Sequence, residues 1–343
     1  MATTSTAPVP EAPLRRLSGQ IATAEASIPG PARAVLRGIG QVFFQENALT
    51  GASFALGIVL CSPLMALGGV LGAAIGYATA RLAKFDAGEI AAGLYGFNAT
   101  LVGIATFFFF RAGLASAALL IVGCVAATFV TNLMRRHLPF PTYTTPFIVT
   151  TWVLFLVGNA LGVAANLGGA SLVPNPPLPF VVEATAHGVG QVMFQASLWT
   201  GLLFLLGIAL GDVRHALLVL AGAVVGMLLA SHHATEAYRA LDPERLVERS
   251  LYDNIRLGLY GYNATLAAVA LYLWRGSLIP ALLGMLLSVP ITELLPLTGL
   301  PALTAPFVLA TWLVLLLGRF DRSFVQEPPA LAPDQGEAPP PAT

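Results

Sequence analysis

The sequence predicts an all-α integral membrane protein: ten transmembrane helices in two inverted five-helix repeats, each with a re-entrant half-helix. Three observations carry this prediction. Of 343 residues, 56% are apolar and only 10% are charged, against about 25% charged in a soluble globular domain. Ten apolar stretches are long enough, or nearly so, to cross roughly 30 Å of hydrocarbon as helix. The chain also aligns with itself in three separate blocks.

In chain order, residues 1–36 are rich in Pro, Ala, Ser and Thr and lack the apolar core of a cleavable signal. They read as a flexible cytoplasmic tail with at most a short surface helix. The first repeat is expected over 37–168, with spans at 43–60, 63–82, 90–110, 113–133 and 146–163. An inter-repeat linker follows at 169–186. The second repeat occupies 187–322, with spans at 194–210, 214–231, 255–274, 277–295 and 306–320. A Pro-rich acidic tail, 323–343, has no means of burying a core and reads as disordered. With the N-terminus inside, 12 of the 17 basic residues fall in inside loops and tails and 5 outside. That imbalance places both termini in the cytoplasm of a cell (inner) membrane protein.

Composition narrows the chemistry. Lys+Arg and Asp+Glu number 17 each, so the electrostatic footprint of a nucleic-acid partner is missing. The single lysine, Lys84, precedes Phe85, which excludes a Gly-Lys-Ser/Thr phosphate loop. HExxH and GxSxG do not occur, and no cofactor, metal or catalytic site is expected. Cys61 and Cys124 lie in apolar runs and read as inert thiols. His232 and His233 are expected in a polar loop and His137, His187 and His215 at segment edges, none at ligand spacing.

The internal duplication is the strongest signal. Residues 38–45, GIGQVFFQ, match 188–195, GVGQVMFQ; 93–101, GLYGFNATL, match 258–266, GLYGYNATL; and the P-x-x-T-x-P-F of 141–147 recurs at 301–307. The offsets are 150, 165 and 160 residues, so the copies differ mainly in loop length. Five spans per half force the second copy to enter from the opposite side. Inverted repeats of this kind form a solute site near the midplane, at the repeat interface.

Residues recurring in both copies are candidates for that pathway or for shared packing. Gly68, Gly72, Gly76, Gly222 and Gly226 read as helix–helix contacts. Gln41 and Gln191 carry amides that, in hydrocarbon, require a partner or a polar cavity. An interhelical hydrogen bond is the competing reading. Phe44 and Phe194 lie three residues on, along the same helix face. Phe97 with Leu101, and Tyr262 with Leu266, stack at four-residue spacing; opposed across an axis they form an apolar slot, or else ordinary core. Asn98 and Asn263 sit in glycosylation-like triplets inside spans and read as structural hydrogen bonders. The proline-bounded segments 139–146 and 299–306 are expected as re-entrant half-helices. Thr144 and Thr304 there offer hydroxyls to a pathway or back-bond to their own helices. Glu46, Asp86, Glu89 and Asp212 cluster at segment ends, and Glu293 has Leu133 as its counterpart. A neutral solute moving down its gradient therefore fits better than ion coupling.

Together these blocks resemble the urea transporter family. Segment 300–307 matches that family's LPxxTxPF signature in full, while 140–147 has Phe for the leading Leu. The resemblance covers about residues 36–320. It implies a homotrimer in the lipid bilayer with one pore per subunit and passive, channel-like permeation of urea. It assigns Phe97, Leu101, Tyr262 and Leu266, with Phe44 and Phe194, to flat slots, and Gln41, Gln191, Thr144 and Thr304 to the polar path. Tyr262 stands where the second slot often has Phe. A channel for ammonia, a short-chain amide or water, or an ion-coupled carrier, are the alternatives.

Overall fold

The computed structural model describes residues 13–166, 168, 171–240 and 247–320. The tail readings for 1–12 and 323–343 lie outside the described residues, as do residues 169–170 of the linker and 241–246 of the expected outer loop. Fifteen helices are described. They are α1 (Pro13–Ala26), α2 (Gly30–Gly40), α3 (Ala48–Cys61), α4 (Pro63–Leu82), α5 (Ala87–Ala91), α6 (Phe97–Phe109), α7 (Leu114–His137) and α8 (Thr145–Ala160). Then come α9 (Phe180–Gly190), α10 (Leu198–Gly211), α11 (Val213–Ala240), α12 (Val247–Arg256), α13 (Gly261–Arg275), α14 (Leu278–Leu294) and α15 (Ala305–Phe320). The order α2–α8 thus recurs as α9–α15.

Local chemistry explains the repeated breaks. Helix α2 tightens into a 3-10 turn at Gln41–Phe43 and stops at Phe44, whose φ is +60°. Helix α9 does the same over Gln191–Met193 and stops at Phe194, φ +63°. The next helices restart on side-chain caps: Asn47 Oδ1 accepts from the Leu49 and Thr50 amides, and Ser197 Oγ from that of Thr200. Ser62 caps α4, with Pro63 at its first position, where no amide proton is needed.

The expected spans at 90–110 and 255–274 are each divided. Gly93 (φ +82°) separates α5 from α6, and Gly258 (φ +78°) separates α12 from α13. Both positions need glycine twice over. The left-handed conformation disfavours a side chain, and a Cβ there would strike the backbone of Gly38 or of Gly188. The first and second repeat blocks are therefore pressed together, glycine on glycine.

Among the described residues, four helical segments are long and apolar enough to cross a membrane: Pro63–Leu82, Leu114–His137, Val213–Glu236 and Leu278–Thr298. Phe180–Met193 with Leu198–Gly211, bent by 70°, forms a fifth if taken as one span. Helices α3, α6, α8, α10 and α15 have 13 to 16 residues. That is about 20–24 Å of helix, less than a full hydrocarbon thickness. Outward-facing Leu56, Leu67, Val122, Phe129, Leu206 and Leu217 are exposed, the surface of a helical protein solvated by lipid tails.

Three expectations are corrected. Segments 139–146 and 299–306 are not half-helices: both are irregular up to Thr144 and Thr304, with α8 and α15 following. Prolines at 139, 141 and 301 withhold donors, and Tyr143 (φ +46°) and Leu303 (φ +47°) reverse the chain. His232 and His233 lie on α11, which continues to Ala240; His233 Nδ1 meets Glu293 Oε1 at 2.9 Å. Helix α2 begins at Gly30, upstream of the expected boundary at 37. It is tied down by Arg37, whose Nε donates to Glu25 Oε1 at 2.8 Å.

The glycine stripes pack helix on helix. A Cβ at Gly68, Gly72 or Gly76 would strike the α6 carbonyls of Gly103 and Ala99 or that of Tyr95, and one at Gly222 or Gly226 would strike 260–265. The halves are joined through α3 and α10. Thr50 Oγ1 donates to Gly207 O, Thr200 Oγ1 to Gly57 O and Ser53 Oγ to Leu203 O, each at 2.7 Å. Buried hydroxyl-to-carbonyl bonds are the polar glue of helices in hydrocarbon. Phe43, Phe54 and Phe204 fill the space beside them.

Candidate functional site

The site is assembled from the three repeated blocks, and most of its contacts occur twice. In the third block, Pro146 and Pro306 lie in the first turns of α8 and α15, leaving the amides of Phe147 and Phe307 without intrahelical acceptors. The second block supplies them. Asn98 Oδ1 accepts from Phe147 N at 3.2 Å, and Asn263 Oδ1 from Phe307 N at 3.1 Å. Each asparagine also donates from Nδ2, to Thr131 Oγ1 at 3.1 Å and to Thr292 Oγ1 at 3.3 Å. Both asparagines are fully buried, so their role is structural, as the triplets inside spans suggested.

The two third blocks then grip each other. Trp152 Nε1 donates to Pro301 O and Trp312 Nε1 to Pro141 O, each at 2.9 Å. At the centre, the hydroxyls of Thr144 and Thr304 lie 2.7 Å apart, buried. Neither makes the expected alternative bond back to its own helix. Two small hydroxyls are thereby held where the halves meet, each keeping lone pairs in reserve.

Aromatic rings of the two copies also pack against each other. Phe44 meets Phe307 edge-on at 6.1 Å and Tyr143 at 6.0 Å. Phe194 meets Phe147 edge-on at 6.3 Å and Phe108 at 4.7 Å. The left-handed breaks at Phe44 and Phe194 swing these rings out of their own helices toward the opposite copy.

A cavity of about 260 Å³ opens on the second side. Gln191, Phe194, Tyr262 and Thr304 line it, with Phe108, Phe109 and Thr292. The Gln191 side chain makes no hydrogen bond among the described residues and offers its amide to the cavity. Its counterpart Gln41 donates to Ala92 O at 2.9 Å, the interhelical bond that was the competing reading. The Tyr262 hydroxyl donates to the Leu303 carbonyl at 2.6 Å, so the departure from Phe is spent on fixing the turn before Thr304. Phe97, Leu101 and Leu266 lie in the central core, the leucines fully buried. They do not line the cavity.

Sequence reasoning missed several members of this assembly. Phe147 and Phe307 were visible as duplicated positions of the third block. Phe108 and Phe109 are not duplicated as a pair and carried no signal beyond apolarity. Among the described residues no cluster of His, Cys, Asp and Glu has metal-binding geometry.

Two copies of one helical unit, interlocked through buried hydroxyls, amides and rings inside a lipid-facing shell, define a membrane transport protein. The urea transporter family model matches residues 32–242 and 244–319. The chain belongs to the urea transporter family, and it is a transporter and not an enzyme. It is 29% identical over 306 residues to urea transporter 1 of Ovis aries and to that of Capra hircus. It is 28% identical to urea transporter 1 of Mus musculus. Each alignment covers 82% of this chain and 76% of the relative.

Proposed function

We propose that this protein carries urea passively through a narrow pore at the interface of its two repeats, in the manner of a channel. The observation that carries the reading is the buried Thr144–Thr304 hydroxyl pair where the two third blocks meet, in a core where Phe44 packs edge-on against Phe307 and Phe194 against Phe147. Urea is planar, neutral and strongly hydrated, so entry into a dry passage costs several kcal/mol unless its polar groups are re-paired. Hydroxyl oxygens at the centre accept its N–H groups, Gln191 meets it in the cavity, and the rings limit its thickness. Ions gain nothing comparable, since no ring of charge lies along this path.

In this reading the two halves form ten membrane crossings in inverted orientation, the shorter helices crossing together with the bent segments beside them. Gln41, Phe44, Thr144, Gln191, Phe194, Tyr262 and Thr304 bound the pathway directly. Phe97, Leu101 and Leu266 set its width from behind. The subunits form a homotrimer with one pore each in the cell membrane, termini in the cytoplasm.

The test is stopped-flow light scattering on proteoliposomes of the purified protein. Rapid urea flux without a proton or sodium gradient is expected. A requirement for either gradient overturns passive permeation, and flux of ammonia or water without urea overturns the substrate.

A further inference from the structure

We propose that the cavity between the C-terminal ends of α13 and α15 and the 139–141 loop binds the phosphate headgroup of an anionic phospholipid. The cavity measures about 430 Å³, and its lining includes Phe140, Pro141, Trp274, Arg275, Leu315 and Arg319. It is separate from the cavity beside Thr304, and the proposal does not depend on which solute the protein carries.

Both guanidiniums are stacked on rings: Arg275 Cζ lies 4.3 Å from the Trp274 centroid and Arg319 Cζ 4.2 Å from that of Phe140. Stacking fixes an arginine while leaving its in-plane N–H groups free for an oxyanion. Arg319 spends one on Pro139 O at 2.9 Å. The Nε–H of Arg275 is buried with no protein partner, a costly condition for a charged donor that a phosphate oxygen relieves. No acidic residue lines the cavity. The ion pairs of the described residues involve neither arginine.

The location matches the ligand. Arg275 closes α13 and Arg319 lies in the last turn of α15, both otherwise apolar there. Leu273, Leu316 and Leu317 beside them are exposed, which places acyl chains next to the charges. Basic pockets between membrane helices at this level are suited to acidic headgroups.

The internal repeat supplies a control within the molecule. At the repeat offsets, Arg275 corresponds to Phe110 and Arg319 to Asn159. Neither corner packs its glycine on a cation: a Cβ at Gly158 would strike the ring of Phe110, the counterpart of Arg275, and one at the equivalent Gly318 would strike Trp274, the counterpart of Phe109. The two guanidiniums are thus added at one of two equivalent corners.

The test uses full-length protein in neutral detergent, titrated with short-chain phosphatidylglycerol, phosphatidylcholine or inorganic phosphate, and read by native mass spectrometry and thermal melting. Phosphatidylglycerol is expected to bind at least about tenfold more tightly than phosphatidylcholine. R275Q and R319Q are expected to lose that preference, and R214Q, at an exposed arginine elsewhere, to keep it. Should either glutamine variant fail to fold, R275K and R319K, which keep charge but lose the planar fork, are expected to lose part of the preference. Folded R275Q and R319Q variants with wild-type preference, or lysine variants with undiminished preference, overturn the proposal. Stabilisation by inorganic phosphate alone, with nothing added by the lipid, reassigns the site to a free anion and overturns it equally.

Discussion

The hydroxyls of Thr144 and Thr304, 160 residues apart in the chain, lie 2.7 Å from one another between the two halves of the molecule. Valine matches the shape of threonine while removing its donor and acceptor. T144V and T304V are expected to slow urea flux by about tenfold, the equivalent of one lost hydrogen bond to the solute, with folding retained. T144S is expected to stay near wild type. Stopped-flow rates on matched proteoliposomes decide the matter, and wild-type rates in both valine variants remove the hydroxyls from the pathway.

Gln41 and Gln191 are equivalent by repeat but differ in surroundings. Q191L is expected to reduce urea flux several-fold without changing the melting temperature, because its amide faces the cavity unpaired. Q41L is expected to lower the melting temperature as well, because Ala92 O loses its donor. Paired flux and melting measurements on both variants test this asymmetry, and identical behaviour contradicts it.

Asn98 and Asn263 each satisfy a buried amide and a threonine hydroxyl. N98A and N263A strand those groups, at about 1–3 kcal/mol for each one left unsatisfied. A melting temperature several degrees below wild type is the expected readout in detergent; an unshifted melt means that water or relaxation replaces the bonds.

Gly93 and Gly258 combine positive φ with backbone contact to Gly38 and Gly188. G93A and G258A are expected to abolish accumulation of folded protein. G113A, where a Cβ meets open space, is expected to be tolerated. Comparing monodisperse yields by size exclusion checks the contrast.

Stability also responds to acid through α1. Burial alone raises the Glu25 carboxyl, but hydrogen bonds from Arg37 and the Ala48 amide, with the charges of Arg37 and Arg33, hold it below the ordinary 4.5. A depressed carboxyl stabilises fully above its unfolded value, and the contribution is lost as pH falls through the folded one. Melting temperature is therefore expected to drop below about pH 4.5, with a shallower drop in E25Q. Parallel pH profiles of wild type and E25Q measure it; superimposable profiles locate the acid sensitivity elsewhere.

Much of this was legible in the chain. Scarce charge marked the membrane, and the duplication marked Asn98 with Asn263, which make equivalent contacts, and Thr144 with Thr304, which meet. Periodicity failed at the breaks. Gly93 and Gly258 sit in apolar runs that read as continuous spans, and no local signal shows that Phe44 and Phe194 adopt left-handed geometry. The proline segments read as half-helices, whereas the backbone there is irregular and turns at Tyr143 and Leu303, residues without turn propensity.

By itself the sequence determined the class, the twofold composition and the identity of the paired polar residues, because burial in lipid demands apolar surface and duplication preserves partners. Only the tertiary structure decided which equivalents diverge. Gln41 is tied to Ala92 while Gln191 faces a cavity, and Tyr262 is bound to Leu303 O rather than free. One corner carries two stacked arginines where the other carries Phe110 and Asn159. Those differences arise from contacts between segments far apart in the chain, and a repeat unit read alone carries no record of its neighbour.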